Sequence, residues 1–391
     1  MLRTTPRLRA VITISSISLL VATAGGASAV GAPSPRGSVP EARHPATPHS
    51  RSIMAMDAVS GSDVWLVGYD DFQSSLQSIV VHWDGSSWRH LPSNPAGVEN
   101  AALFDVAEAA PGDVWAVGQS AYQTENLVLH WNGAAWSEVE VPQPAGQYRT
   151  LQSVSVISPD NVLASGFVCD SGEGPCTDEV LRWNGTDWAT VTRAPTAHIL
   201  SADAASKDDA IGIGETSFRS RQAVSAHWNG ARWKASDLPG TTYGNALSDV
   251  AAAGEDDAWA AGYAEITPGG ATTGWLLHWD GRRWHEASSA HDPGSFYHVS
   301  ASAPDDVWLV GAGSDLQHFD GSVWTEESPP LEQGNLRDVQ TVDPTDVWAY
   351  EEAPRAGGSY TAVLRYDGSV WKVVKRFGYH GASPRPAPSQ R

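Results

Sequence analysis

The chain has 391 residues, with 45 acidic and 25 basic side chains and a formal net charge of −20 at pH 7. Such an acidic surface repels nucleic acid and anionic membrane surfaces, so the composition argues against both as partners. No stretch approaches eighteen continuous apolar residues, so no membrane span is expected.

The first 52 residues are predicted to lie outside the folded domain. Residues 1–29 combine early arginines with an apolar run and small residues near the end, which is the pattern of a secretory signal peptide. Residues 30–52 are rich in Pro and small residues and are predicted to be a disordered linker, and the tail over 378–391 has the same character. We therefore expect a secreted, extracellular protein.

One pair of phrases occurs seven times between residues 53 and 377. An Asp-Val-Trp-Ala-Val-Gly-like phrase is followed, after a variable stretch, by a His-Trp-Asp-Gly-x-x-Trp-like phrase. The final Trp returns about every 47 residues, a period typical of a solenoid, propeller or array. These final residues are Trp88, Trp136, Trp188, Trp233, Trp284, Trp324 and Trp371.

Each repeat is predicted to contain four strands. In the second repeat the apolar patterns place them over 103–107, 114–118, 127–131 and 136–141. An Asn-Gly or Asp-Gly pair separates the third and fourth strands in all seven repeats and predicts a two-residue type I′ turn. An Asp or Asn begins each second strand and is expected to bond its own backbone. The predicted fold is all-β, a seven-bladed β-propeller with four antiparallel strands per blade.

On these phrases the chain resembles the kelch and galactose-oxidase-like propeller repeats, as a secreted bacterial-type member. Their second strand ends in Gly, and their third strand leads through an aromatic-Asp turn to a Trp. The resemblance covers residues 53–377, although a single Gly stands where kelch repeats carry a pair. It implies an architecture only, because such propellers include enzymes, lectins and scaffolds.

The repeated Trp and His residues are predicted to be structural. Seventeen of the eighteen Trp fall at three repeat positions, where burial between blades is expected in preference to sugar stacking. Trp275, outside that pattern, is also expected in the core. The repeated His residues, replaced by Arg182 and Arg365 in two repeats, are held one per blade and cannot converge on a metal ion. Hydrogen bonds across blade interfaces are expected for them.

Two smaller sets of residues are considered for ion binding and for a disulfide bond. Asp105, Asp249 and Asp338 share one position of the innermost strand; turn or backbone bonding is the favoured role, and a Ca²⁺ ion bound in the central channel is the alternative. No other metal or cofactor is predicted. Cys169 and Cys176 are the only cysteines and are expected to form a disulfide in an exported chain.

No catalytic residue is identified, because nucleophile-elbow, zinc-protease and phosphate-loop motifs are missing from the sequence. Diverse loops between the second and third strands and between blades predict a binding face. The ligand-binding candidates are Tyr69, Tyr148, Tyr243, Tyr263 and Tyr297. The predicted function is a monomeric, secreted binding module for a glycan or cell-envelope polymer. The alternatives are an extracellular glycan hydrolase or lyase with loop-borne acids, and a scaffold for another secreted protein.

Overall fold

The fold is seen in a computed structural model that describes residues 50–378 except 73–74, 92–97, 99, 121–124, 143, 145, 171–175, 192–197, 207, 217–221, 242, 331–333 and 356–357. The predicted signal peptide, most of the predicted linker and nearly all of the predicted tail lie outside the described residues. The first strand begins at Ser50, three residues before the predicted start of the propeller. None of the described residues forms a helix with the length and apolarity needed to cross a bilayer.

The described residues form twenty-eight strands in seven antiparallel sheets. Blades 1 to 4 are β1 (Ser50–Ser60), β2 (Asp63–Phe72), β3 (Ser75–Trp83), β4 (Trp88–Leu91); β5 (Ala102–Ala110), β6 (Asp113–Ser120), β7 (Glu125–Trp131), β8 (Trp136–Glu138); β9 (Gln147–Ser158), β10 (Asn161–Asp170), β11 (Cys176–Trp183), β12 (Trp188–Thr190); β13 (His198–Ser206), β14 (Asp209–Glu215), β15 (Ala223–Trp228), β16 (Trp233–Ser236). Blades 5 to 7 are β17 (Asn245–Gly254), β18 (Asp257–Glu265), β19 (Thr272–Trp279), β20 (Trp284–Ala287); β21 (Phe296–Ala303), β22 (Asp306–Gly311), β23 (Leu316–Phe319), β24 (Trp324–Glu326); β25 (Asn335–Asp343), β26 (Asp346–Arg355), β27 (Gly358–Tyr366), β28 (Trp371–Gly378). The prediction of seven four-stranded blades is confirmed.

Each sheet is made of four consecutive strands, and neighbouring sheets pack face to face around a ring. The main apolar clusters correspond to the interfaces between successive blades, from blades 1 and 2 through to blades 6 and 7. A further cluster joins blade 7 to blade 1, where Trp348 and Phe377 pack with Met56 and Leu66. Blade 7 therefore closes the ring on blade 1 through side-chain packing, as a propeller built of whole four-stranded blades requires.

The Trp residues fill these interfaces. The second-strand residues Trp65, Trp115, Trp259, Trp308 and Trp348 are between 0% and 5% exposed. Several meet the fourth-strand Trp of the next blade edge to face. The ring centroids of Trp65 and Trp136, for example, are 5.5 Å apart, with an angle of 90° between the ring planes. At the closing interface Trp348 meets Trp88 of blade 1 at 6.1 Å and 77°. Edge-to-face contact is a favoured geometry for aromatic rings, so the predicted burial of Trp between blades is confirmed.

The turn between the third and fourth strands differs from the prediction. Trp83 pairs directly with Trp88, so the loop has four residues, and only its Gly85 has a positive φ, of 82°. The Asp84 carboxylate accepts the N–H groups of Ser86 at 3.0 Å and Ser87 at 2.8 Å. A hairpin turn occurs where predicted, but its type I′ geometry was wrong, because only the Gly has a positive φ and the side chain of the leading Asp or Asn accepts the N–H groups that follow it. The equivalent caps are Asn132, Asn184, Asn229, Asp280, Asp320 and Asp367.

The repeated Gly of the second strands lies inside most of these strands, and a close approach requires it. A Cβ atom on Gly118 would lie 2.0 Å from the carbonyl oxygen of Ala102 on the innermost strand. Innermost strand β5 bulges at this point, because its pairing jumps from Leu103 to Asp105. A bulge brings the backbones together and aims one extra residue away from the ladder. The repeated Gly therefore marks a bulge in the innermost strand.

Candidate functional site

The two ends of the propeller differ in character. We call the end with the β1–β2 and β3–β4 turns, and their equivalents in other blades, the turn face. Its Asp and Asn side chains are occupied in bonding their own turns. The opposite end, with the connections between second and third strands and between blades, is the variable face. Fixed, internally satisfied turns leave few groups for a ligand, so the variable face is the better candidate surface.

The His residues of the third strands bond within their own blade. His82 Nε2 lies 2.6 Å from the carboxylate of Asp63, and its ring stacks 4.0 Å from Trp65. The prediction that they bond across blade interfaces was wrong, and so was the expectation that the second-strand Asp bonds its own backbone, because the Asp is the partner of the His. The pairs are His82–Asp63, His130–Asp113, Arg182–Asn161, His227–Asp209, His278–Asp257, His318–Asp306 and Arg365–Asp346.

At all seven interfaces an innermost-strand side chain bonds the backbone of the next blade. Asp338 accepts the N–H of Met56 at 3.2 Å and so links blade 7 to blade 1. The other six links are Asp57 with Glu108 N, Asp105 with Val154 N, Ser155 with Ala202 O, Asp203 with Ala252 N, Asp249 with Val299 N, and Ser300 with Thr341 N. We call these contacts the interblade links. They are charge-assisted where the side chain is an ionised Asp, which strengthens them.

Three of the links are made by Asp105, Asp249 and Asp338, the residues for which Ca²⁺ was the alternative. Each is at most 1% exposed, and each directs a carboxylate oxygen at a backbone N–H of the next blade. The favoured role in backbone bonding therefore matches the geometry. Within the part of the chain that is described, no group of three or more His, Cys, Asp or Glu is arranged to hold a metal ion. The Ca²⁺ alternative remains an untested prediction.

A buried imidazole joins two of these carboxylates. His298 Nδ1 lies 3.4 Å from Asp249 Oδ2 and 3.7 Å from Asp338 Oδ1, with all three side chains inaccessible. Burial alone lowers the pKa of His298, but the Asp338 and Asp249 carboxylates outweigh it and raise that pKa. Burial raises the pKa of Asp338 to about 7, against the opposing effect of His298. Burial also raises the pKa of Asp105 well above its ordinary value.

The bulges place a second set of residues beside the central channel. In every blade the bulged residue of the innermost strand has no register partner, and it is half-buried or exposed. The first strands of successive blades contact one another around the ring, so each bulged residue lies on the inner edge of its blade. The set is Met54, Phe104, Gln152, Leu200, Ser248, Tyr297 and Arg337.

A neighbouring position on the second strand is also half-buried. It directly follows the repeated Gly and is occupied by Tyr69 in blade 1, Phe167 in blade 3 and Tyr263 in blade 5. Together with Phe104 and Tyr297, these residues form one aromatic contribution from each of blades 1, 2, 3, 5 and 6, and we call them the mouth aromatics. Blade 7 instead contributes an ion pair, with Arg337 3.1 Å from Glu352.

Three of the five predicted Tyr candidates thus lie around the channel mouth, and two do not. Tyr148 is half-buried in β9, directly opposite Cys169. Tyr243 is 40% exposed in the connection to blade 5. Sequence reasoning missed Phe104 and Phe167, although their register was available: Phe104 aligns with Tyr297, and Phe167 aligns with Tyr69. The structure does not test whether any of these residues binds a ligand.

A separate cleft of about 370 Å³ opens on the variable face beside blade 4. Its walls are the start of β15, the end of β16 and the connection that leads to Asn245.

Cys169 and Cys176 lie elsewhere, as directly opposed residues of β10 and β11.

No protein-family model and no curated protein matches the chain. Solved structures do. YCF48 bound to D1 peptide is 16% identical, with a TM-score of 0.51, over 82% of this chain and 92% of that one. YCF48 from Cyanidioschyzon merolae is 14% identical, with a TM-score of 0.50, over 82% and 98%. Virginiamycin B lyase from Staphylococcus aureus is 10% identical, with a TM-score of 0.44, over 77% and 94%. At these identities the likeness shows the fold alone. The kelch-like resemblance stays a prediction.

Proposed function

We propose that the chain is a secreted binding module that recognises a neutral extracellular glycan at the channel mouth of its variable face. The observation that carries this proposal is the set of five mouth aromatics, each half-buried within a strand. Strand-borne aromatic rings offer stacking area at little cost in conformational entropy, because the strands already fix their positions.

The charge of the chain narrows the ligand class. A net charge of −20 disfavours the approach of nucleic acid and of acidic envelope polymers. At the mouth itself, the Arg337 guanidinium is paired with Glu352, so it adds no uncompensated positive charge. A ligand held by stacking and hydrogen bonds, without a charge of its own, suits this surface better than a polyanion. We therefore favour a neutral glycan.

The experiment is a glycan array probed with the purified chain from residue 30 onward, followed by titration calorimetry on any hit. Phe104→Ala and Tyr263→Ala are each expected to weaken binding by about 10-fold, because each removes one stacking surface. Val323→Ala is the matched control, since Val323 is 54% exposed on the turn face. Binding that survives both mouth substitutions unchanged would exclude the mouth as the site.

The same experiment separates the two alternatives. Released fragments after incubation with a bound glycan would favour a hydrolase or lyase over a binding module. Capture of a single secreted protein from culture medium, with no array hit, would favour the scaffold function. One YCF48 structure has a D1 peptide bound to a similar fold, and an array that includes peptides covers that outcome.

We also propose that Cys169 and Cys176 form a disulfide. The backbone register places them opposite each other on adjacent antiparallel strands. Opposed residues in such a pair have Cα atoms about 4.5–5.5 Å apart, within the range that a disulfide spans. Intact mass measured before and after reduction tests the bond: a gain of two hydrogens on reduction is expected, and an unchanged mass would contradict it.

A further inference from the structure

The cleft beside blade 4 has a fixed wall. Asn245 Oδ1 accepts the N–H of Ala223 at 2.7 Å, and its Nδ2 donates to Thr241 Oγ1 at 2.5 Å. Thr241 Oγ1 in turn donates to the carbonyl of Tyr243 at 2.8 Å. These bonds tie the connection between blades 4 and 5 to the edge of β15. The cleft is therefore preorganised, which lowers the entropy cost of filling it.

The inner end of the cleft carries a buried hydroxyl. Ser225 is 2% exposed and accepts the indole N–H of Trp284 from the next blade at 3.0 Å. A hydroxyl has one donor and two acceptor positions, so Ser225 can still donate to a ligand while it accepts from Trp284. The indole fixes the oxygen in place, which makes this hydroxyl a well-positioned contact.

The described lining residues are mainly polar or small, with one acid. Three hydroxyls (Ser225, Ser236, Thr241), two amides (Gln222, Asn245) and one carboxylate (Asp237) provide the polar contacts. None of the described lining residues is Lys, Arg or His, and the Asp237 carboxylate disfavours a phosphate, sulfate or carboxylate on the ligand. Val224, Leu238 and Pro239 provide an apolar surface. Hydroxyl and amide partners beside a small apolar surface match a sugar ring, which has hydroxyls at its edge and C–H groups on its faces.

The volume limits the ligand size. About 370 Å³ lies near the lower end of the range for small-molecule sites. We propose that this cleft binds a single neutral sugar unit and forms a second contact, lateral to the channel mouth, for the glycan. This inference rests on the proposed function for its ligand class, but it concerns a different set of residues.

The test uses titration calorimetry of the chain from residue 30 onward with glucose, galactose, mannose, N-acetylglucosamine and glucuronate. At least one neutral sugar is expected to bind, and Ser236→Phe is expected to weaken it at least 10-fold by filling the cleft. Ser137→Phe places the same ring on an exposed position of the outer strand of blade 2 and is expected to leave affinity unchanged. Near-ultraviolet circular dichroism verifies folding, and Gln222→Ala replaces Ser236→Phe should that variant unfold.

Charge selectivity provides a second readout. Glucuronate is expected to bind at least 10-fold more weakly than glucose, and Asp237→Asn is expected to reduce that difference. Unchanged affinity in both Ser236→Phe and Gln222→Ala would overturn the inference, as would the absence of any neutral-sugar binding. Loss of binding through Phe104→Ala or Tyr263→Ala, with the cleft variants unaffected, would retain the proposed function and reject the cleft.

Discussion

The interblade links predict that one buried carboxylate supports two blades at once, and Asp203 is the clearest case. It is 4% exposed on β13, where Oδ1 accepts the N–H of Ala204 at 2.8 Å and Oδ2 accepts the N–H of Ala252 in blade 5 at 2.9 Å. Asp203→Ala leaves both buried donors without these acceptors. A buried unsatisfied donor costs about 1–3 kcal/mol, so the free energy of unfolding is expected to fall by about 2–6 kcal/mol.

The measurement is urea unfolding followed by Trp fluorescence, with the slope checked for constancy between variants. Asp203→Asn keeps one acceptor oxygen and is expected to lose about half as much stability. Asp187→Ala, at an exposed turn position in blade 3, is the control and is expected to change stability by less than about 0.5 kcal/mol. A loss below about 0.5 kcal/mol for Asp203→Ala would refute the argument that these links support the ring.

Three further predictions follow from the same packing. Gly118→Ala is expected to lower the free energy of unfolding in urea by about 2–3 kcal/mol, because its methyl group would lie 2.0 Å from the Ala102 carbonyl oxygen. Gly240→Ala is the control and is expected to leave that free energy unchanged, because a methyl group there meets open space. Burial raises the pKa of Glu108 from 4.5 to about 10, and the nearby Asp63 adds to the effect. The contribution of Glu108 to the free energy of unfolding is therefore complete below pH 4.5, the pKa of the unfolded chain, and is lost as the pH rises through 10. Glu108→Gln, which keeps a neutral donor, is therefore expected to exceed the parent in stability at pH 8, and lower stability would contradict a neutral Glu108. Burial raises the pKa of Asp338 from 3.8 to about 7, so its contribution to the free energy of unfolding is complete below pH 3.8 and is lost as the pH rises through 7. Asp338→Asn is therefore expected to flatten the pH dependence of the urea midpoint between pH 5 and 8. An unchanged pH dependence would count against this assignment.

The architecture could be predicted because it follows from patterns within short stretches of the sequence. Each blade repeats the same Asp-Val-Trp and Asp-Gly phrases, and strand periodicity with turn residues depends on neighbours a few positions apart. In the second repeat all four strands occur where expected, although the fourth ends at Glu138 instead of residue 141. Burial of Trp also follows from local pattern, since an indole on a strand that is covered on both faces is removed from solvent.

Side-chain partners were less predictable, because they depend on which strands lie side by side. His82 was expected to bond across an interface, yet the register of β2 and β3 brings it to Asp63 in its own blade. The turn at Asp84 was assigned from the Asp-Gly pair, but its loop length follows from the pairing of Trp83 with Trp88. Sequence identifies the residue types, and strand register decides which of them meet.

The sequence by itself determined the seven repeats, the four strands of each blade and the burial of the aromatic positions, because these are set by short-range periodicity repeated along one chain. Only the tertiary structure decided that Asp338 bonds the backbone of Met56, 282 residues away, that the innermost strand bulges at Arg337, and that a cleft opens beside Asn245. These features arise where separate blades or connections come together, so no local stretch of sequence contains them.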